Sequence, residues 1–230
     1  MRRLLTLLAL LVAAPAHAQF ANDTFTEPTI DTVLSSHTPD SGGAWVQHGS
    51  YTGVLTVSQA TDRILGDGIA LGVYYHNASP ATANYTVAAD VVVSSNAAAS
   101  YPGVTCRTST SADTMYRGWY DQPNTRWVMD KIVAGGAAVT LGTPFTQTLS
   151  NSTTYNMVLR CDGDQISLNI DGGSVEIPAV TDTAIAAAGK AGVFQLTASV
   201  ADIDTFVATD IAAGGSGATG GLLMRGAGGK

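Results

Sequence analysis

The sequence predicts an all-β fold of two antiparallel sheets, and three observations predict it. Thr, Val, Ser and Gly abound, helix-favouring Leu, Lys and Glu are sparse, and Glu27 and Glu176 are the only glutamates, a balance that suits strands. Apolar and polar residues alternate with period two, most cleanly where Tyr85, Val87, Ala89, Val91 and Val93 interleave with Thr86, Ala88, Asp90 and Val92. Two stretches read as hairpins.

The first hairpin runs from Asp113 to Val133 about Gln122-Pro-Asn-Thr125, where Pro123 and Asn124 suit the centre of a tight turn. Gln122 then faces Thr125, Asp121 faces Arg126, and Arg117 faces Asp130. Alternation puts Met115, Arg117, Trp119 and Asp121 on one face with Arg126, Val128, Asp130 and Ile132. Tyr116, Gly118, Tyr120, Trp127 and Met129 fall on the other. One face is charged and the other is core. The second hairpin is marked by Asp162-Gly163, read as a type I′ turn. That turn sets Leu159 opposite Ile166, Met157 opposite Leu168 and Tyr155 opposite Ile170.

Met1-Arg-Arg3, an apolar run to about Ala16, and Ala16-His-Ala18 form the three zones of a secretory signal over residues 1–18, with cleavage after Ala18. No later stretch approaches the roughly 20 apolar residues of a membrane helix. Residues 19–210 are read as one domain, and the Gly-rich residues 211–230 as a flexible tail. Within the domain, Ala21–Thr26 reads as a short strand and Ile30–Gly43 as a loop of turn formers. Ala44–His48, Val54–Ser58, Asp62–Leu65 and Gly68–His76 read as a meander. Gly103–Ser109, Val175–Ile177, Gly192–Leu196 and Ile203–Val207 read as strands, and Ala184–Ala188 as one short helical turn.

The net charge is −7. Removing Arg2 and Arg3 takes eleven basic residues to nine against eighteen acidic ones, near −9, which repels phosphate backbones and argues against a nucleic-acid partner. Cys106 and Cys161 both fall on apolar faces. In an exported chain they form either a disulfide, worth about 4 kcal/mol for a loop of this length, or two separate buried thiols. His37, His48 and His76 lack the spacing of a zinc site. No Gly-x-Ser-x-Gly nucleophile motif and no phosphate loop occurs.

The order of short pieces resembles the concanavalin A-like (laminin G-like) jelly-roll family of lectins and glucanases. The pieces are Asp23-Thr-Phe25, Gly43-Ala-Trp45, Gly103-Val-Thr-Cys-Arg107 followed by Met115-Tyr116, Trp127-Val-Met-Asp-Lys131 and Tyr155-Asn-Met-Val-Leu159. Ile166 to Gly172, Gly189-Lys-Ala-Gly192 and Asp204-Thr-Phe206 complete them. They cover roughly Asn22 to Thr209 and are structural. The resemblance implies a two-sheet jelly roll, with sugar bound on the concave face. It also implies a structural Ca²⁺ at the sandwich edge, for which Asp23, Asp202 and Asp204 supply oxygen ligands if the first and last strands pair. The glucanases of the family carry Glu-x-Asp-x-x-Glu or Glu-x-Asp-x-Glu, and neither motif is present.

Trp119 among Arg117, Asp121, Arg126 and Asp130 supplies a planar apolar surface and polar groups for hydroxyls, and is the expected ligand face. Tyr74, Tyr75 and His76 are a secondary candidate. Three classes of function follow: an exported non-catalytic carbohydrate-binding or adhesion module with a glycan partner, a structural or assembly protein of a cell or virion surface, and a divergent glycoside hydrolase. Oligomeric state is not legible at this level.

Overall fold

Side-chain alternation sorts this chain into two sheets around a shared core. The computed structural model describes residues 18–27, 29–94, 100–171, 176–196 and 201–212. Residues 1–17 of the expected leader and 213–230 of the expected tail lie outside them. In chain order the strands are β1 (Gln19–Asp23), β2 (Thr32–Val33), β3 (Trp45–Gln47), β4 (Leu55–Ser58), β5 (Arg63–Gly66) and β6 (Gly72–His76). Next come β7 (Tyr85–Val93), β8 (Gly103–Thr108), β9 (Met115–Asp121), β10 (Arg126–Ile132), β11 (Val139–Thr140) and β12 (Phe145–Thr146). The last five are β13 (Thr153–Asp162), β14 (Gln165–Ile170), β15 (Ile177–Thr181), β16 (Lys190–Gln195) and β17 (Ala201–Asp210). One sheet has nine strands in the order β15-β14-β13-β7-β17-β5-β4-β2, with β1 also on β17. The other has eight, β11-β10-β9-β8-β16-β6-β3, with β12 also on β10. The described residues include no α-helix.

Alternate residues of the two sheets meet in between. Tyr85, Val87, Ala89 and Val91 of β7 and Met157 and Leu159 of β13 come from one sheet; Val104, Tyr116, Tyr120, Trp127 and Met129 come from the other. Trp127 is fully buried, and its indole N–H donates to Gln147 Oε1 at 2.6 Å, the partner a buried indole requires. A disulfide joins Cys106 of β8 to Cys161 of β13, with Cα atoms 6.8 Å apart, and so links the two sheets through the core.

The β9–β10 register agrees with the sequence residue by residue: Asp121 faces Arg126, Tyr120 faces Trp127, Trp119 faces Val128 and Arg117 faces Asp130. Its turn is a short 3₁₀ segment, Gln122–Asn124, closed by Thr125 N–H donating to Gln122 C=O at 3.1 Å. The second hairpin keeps its faces but not its partners. Cys161 faces Ile166, Leu159 faces Leu168 and Met157 faces Ile170. The turn is Gly163-Asp164, with Gly163 at φ 61°, the first central position of a II′ turn. Gly163 N–H also donates to Asn84 Oδ1 at 2.8 Å. Moving a turn by one residue shifts each partner by two, so with a period of two no side chain changes face.

Other expectations are corrected. The stretch from Ala44 to His76 is not a meander, because β4 and β5 pair in the nine-stranded sheet while β3 and β6 pair in the other. The Ile30–Gly43 loop contains β2 and a 3₁₀ turn, Leu34–Ser36. Residues 184–188 form no helical turn. Ile185 gives its C=O to Arg107 and its N–H to Tyr116 Oη instead, and those tertiary bonds replace the local ones a helix would make.

Candidate binding face

Where β9 and β10 turn their odd and even residues away from the core, the eight-stranded sheet presents the expected ligand residues. Arg117 binds Asp130 bidentately, Nε to Oδ1 at 2.7 Å and an Nη2 to Oδ2 at 2.8 Å, and both side chains are buried. Arg126 Nε donates to Asp121 Oδ2 at 2.9 Å, and Asn124 Nδ2 donates to the same oxygen at 2.9 Å. Arg126 remains 42% exposed. Trp119 is half-buried, and its indole N–H donates to Asp130 Oδ2 at 3.1 Å. Asp130 therefore fixes a guanidinium and the ring beside it. All five predicted residues lie together.

The structure adds neighbours that alternation could not name. Trp119 meets Phe194 of β16 and Tyr101, with ring centroids 6.3 and 5.7 Å away. The Arg117 guanidinium lies 5.1 Å from the centre of the Phe194 ring. Phe194, Val73 and Met115 form a small apolar cluster outside the main core, against which Tyr51, Leu71 and Trp119 pack. Tyr51 donates to Asp113 Oδ1 at 2.6 Å; burial, with that carboxylate, pushes its phenol well above the usual tyrosine range. Gly103 faces both Trp119 and Phe194 across the strands. A methyl there would come 2.3 Å from the Phe194 ring and 2.7 Å from Trp119 Cβ, so the two rings meet over a position with no side chain.

Of the secondary candidates only Tyr75 shares this side. Tyr74 is in the core, and His76 is buried against Trp45 and Phe206, where burial lowers its pKa.

The first and last strands do pair, Asp23 opposite Phe206, yet Asp23, Asp202 and Asp204 do not converge. A bulge between Asp204 and Val207, with Thr205 at φ 45°, breaks the alternation. Phe206 turns inward while Asp202 and Asp204 stay outward. Asp23 faces the core and accepts from Trp45 Nε1 at 2.6 Å, from Phe25 N–H at 2.8 Å and from His37 Nε2 at 2.9 Å. His37 Nδ1 reaches Glu27 at 2.6 Å. Burial lowers the pKa of His37, but its two carboxylate partners outweigh burial and raise it. These aspartates do not fit a shared calcium site, and no group of three or more His, Cys, Asp or Glu among the described residues is arranged to hold a metal ion.

Chemically, the face offers the part-exposed rings of Trp119, Tyr101 and Tyr75 and the part-exposed guanidinium of Arg126, while the carboxylates of Asp121 and Asp130 are buried. Asp121 and Asp130 are each engaged by an arginine.

No protein-family model matches the chain, and no curated protein matches it in sequence. Solved structures match in fold. A carbohydrate-binding module, CBM66, from Bacillus subtilis is 14% identical over 71% of this chain and 92% of its own, with a TM-score of 0.53. A Bacillus subtilis protein of unknown function with a galectin-like fold is 12% identical over 85% and 98%, with a TM-score of 0.57. A structure from work on endo-acting O-glycanases of human gut microbiota is 8% identical over 84% and 100%, with a TM-score of 0.59. At such identities the likeness is one of architecture: the chain has the jelly-roll sandwich fold that carbohydrate-binding modules and galectin-like proteins share with the concanavalin A-like lectins.

Proposed function

We propose that this is an exported, non-catalytic carbohydrate-binding module, and that it takes a glycan on the outward face of the eight-stranded sheet. The observation that carries the reading is Trp119: a half-buried indole held by Asp130 and flanked by Arg117, Tyr101 and Phe194. Such a ring offers a sugar its plane, while the part-exposed Arg126 guanidinium, oriented by the buried Asp121, donates to hydroxyls. The architecture shared with a carbohydrate-binding module supports the reading. Export is supported by the three zones of a secretory signal read over residues 1–18 and by a disulfide that persists in an oxidising compartment.

A glycan array probed with the protein, with and without Ca²⁺, tests it. Binding lost in Trp119→Ala at unchanged circular dichroism is the expected result, and unchanged affinity in that variant refutes the site. Hydrolysis is the competing reading, favoured by the O-glycanase likeness. A retaining or inverting mechanism needs one carboxyl group as acid and another as nucleophile or base, whereas both carboxylates beside Trp119 are tied to arginines. Product release from a polysaccharide panel decides in favour of the hydrolase.

A further inference from the structure

A cavity of about 460 Å³ opens at the turn end of the β8–β9 hairpin, lined by Arg107 to Thr110 and Thr114 on one side and by Ala184 to Ala187, Gly189 and Lys190 on the other. Thr114 is five residues along the chain from Trp119, about 17 Å of extended strand, so this is not the aromatic face.

Its charged lining is cationic. Arg107 is buried, and it donates Nε to Ala83 C=O at 3.0 Å, Nη1 to Ile185 C=O at 2.8 Å and Nη2 to Gly163 C=O at 2.6 Å. Lys190 Nζ donates to Asn77 C=O at 2.7 Å and to Ser79 Oγ at 2.8 Å. All of these acceptors are neutral, and among the described residues neither cation is held in an ion pair. A guanidinium has five N–H donors and an ammonium three, which among the described residues leaves two on Arg107, whose guanidinium is buried 5.8 Å from the Tyr116 ring centre, and one on Lys190.

The hydroxyls point the same way. Ser109 Oγ already accepts from Ser111 and Ala112 N–H, and Thr114 Oγ1 accepts from Ala134 N–H. A hydroxyl whose lone pairs are so used still has its own O–H to donate. Two acids of the flanking loops are engaged by other partners: Asp113 accepts from Tyr51, and Asp182 accepts from Tyr116 and Lys131. Asp182 and Asp164 line an adjoining cavity that Arg107 shares, and the described lining of the larger one includes no carboxylate. In a chain of net charge −7, a donor-rich cavity whose charged residues are two cations selects anions.

We propose that this cavity binds an oxyanion, carried by an acidic sugar such as a uronate or present as a free inorganic anion. Titration calorimetry of the protein with glucuronate, glucose and inorganic sulfate tests it, alongside Lys190→Gln, whose Nζ donates to the 77–79 segment. Glucuronate or sulfate should bind, more weakly as salt screens the cations, and Lys190→Gln should weaken that binding about tenfold or more, the scale of one charge-assisted hydrogen bond. Glucuronate binding much more tightly than sulfate assigns the site to acidic sugars, and equal affinities assign it to free anions. Trp119→Ala should leave the anion affinity unchanged, which keeps this test separate from that of the aromatic face. Glucose binding as tightly as glucuronate, indifference to Lys190→Gln, or no heat with either anion overturns the proposal.

Discussion

The two outward faces of the sandwich place charge differently. On the eight-stranded sheet Arg117 clasps Asp130, Arg126 reaches Asp121, and rings stand among them. On the nine-stranded sheet the rings of Tyr85, Tyr155 and Phe206 all point into the core, leaving Asp90, Asp202, Asp204 and Arg63 outside. There Arg63 Nε lies 3.7 Å from Asp204, beyond hydrogen-bond reach, and Asp202 Oδ1, buried, has no hydrogen-bond partner among the described residues. Burial, only partly offset by the Arg63 charge, pushes Asp202 up to about 6. A buried carboxylate is stable as an ion when a guanidinium meets both its oxygens and strained when none does. The nine-stranded sheet pairs Arg160 with Asp162 at 2.6 Å, but among the described residues only the eight-stranded sheet sets a part-exposed tryptophan beside such pairs.

The sharpest way to break this contrast is Asp130→Ala, which strands the buried Arg117 charge and frees the Trp119 indole. It should cost about 3–5 kcal/mol, read by denaturant unfolding; a cost below 1 kcal/mol means the pair is not truly buried.

The opposite sign is expected at Asp202. Its folded pKa is raised, so its contribution to stability is fully present below the unfolded value near 4, is lost as pH rises toward about 6, and stays lost above. Asp202→Asn should therefore stabilise the protein by up to about 3 kcal/mol at pH 7 and leave it unchanged at pH 3. Equal effects at both pH values would show that desolvation is not the cause.

Smaller again is Gly103→Ala, expected to cost about 1–3 kcal/mol through overpacking of Phe194 and Trp119, and to weaken glycan binding by moving the ring. Trp119→Ala should have the least effect on stability, about 1 kcal/mol for a partly exposed ring, while removing binding. Its core counterpart Trp127→Ala should cost about 3–5 kcal/mol, and thermal melts of the pair compare the two sides of one hairpin.

Much of the hairpin was legible in advance because its information is local. A two-residue period and one turn place Trp127 inside and Trp119 outside and oppose Arg117 to Asp130, and the register follows. The same local rule failed by one turn position at Gly163, where Asn84, remote in sequence, takes the turn N–H. It failed at Asp23 and Asp202 because a bulge at Thr205 resets the period within a strand. Phe194 was legible as a strand residue but not as a partner of Trp119.

By itself, then, the sequence determined the all-β class, the strand-rich order and which side chains of each long strand face in, because backbone pleating ties orientation to position along the chain. Only the tertiary structure decided which sheet each short strand joins, which rings gather around Trp119, and which three loops Arg107 ties together. Those contacts join residues such as Ala83, Gly163 and Ile185, remote in the chain, and no local period records which distant segments pack together.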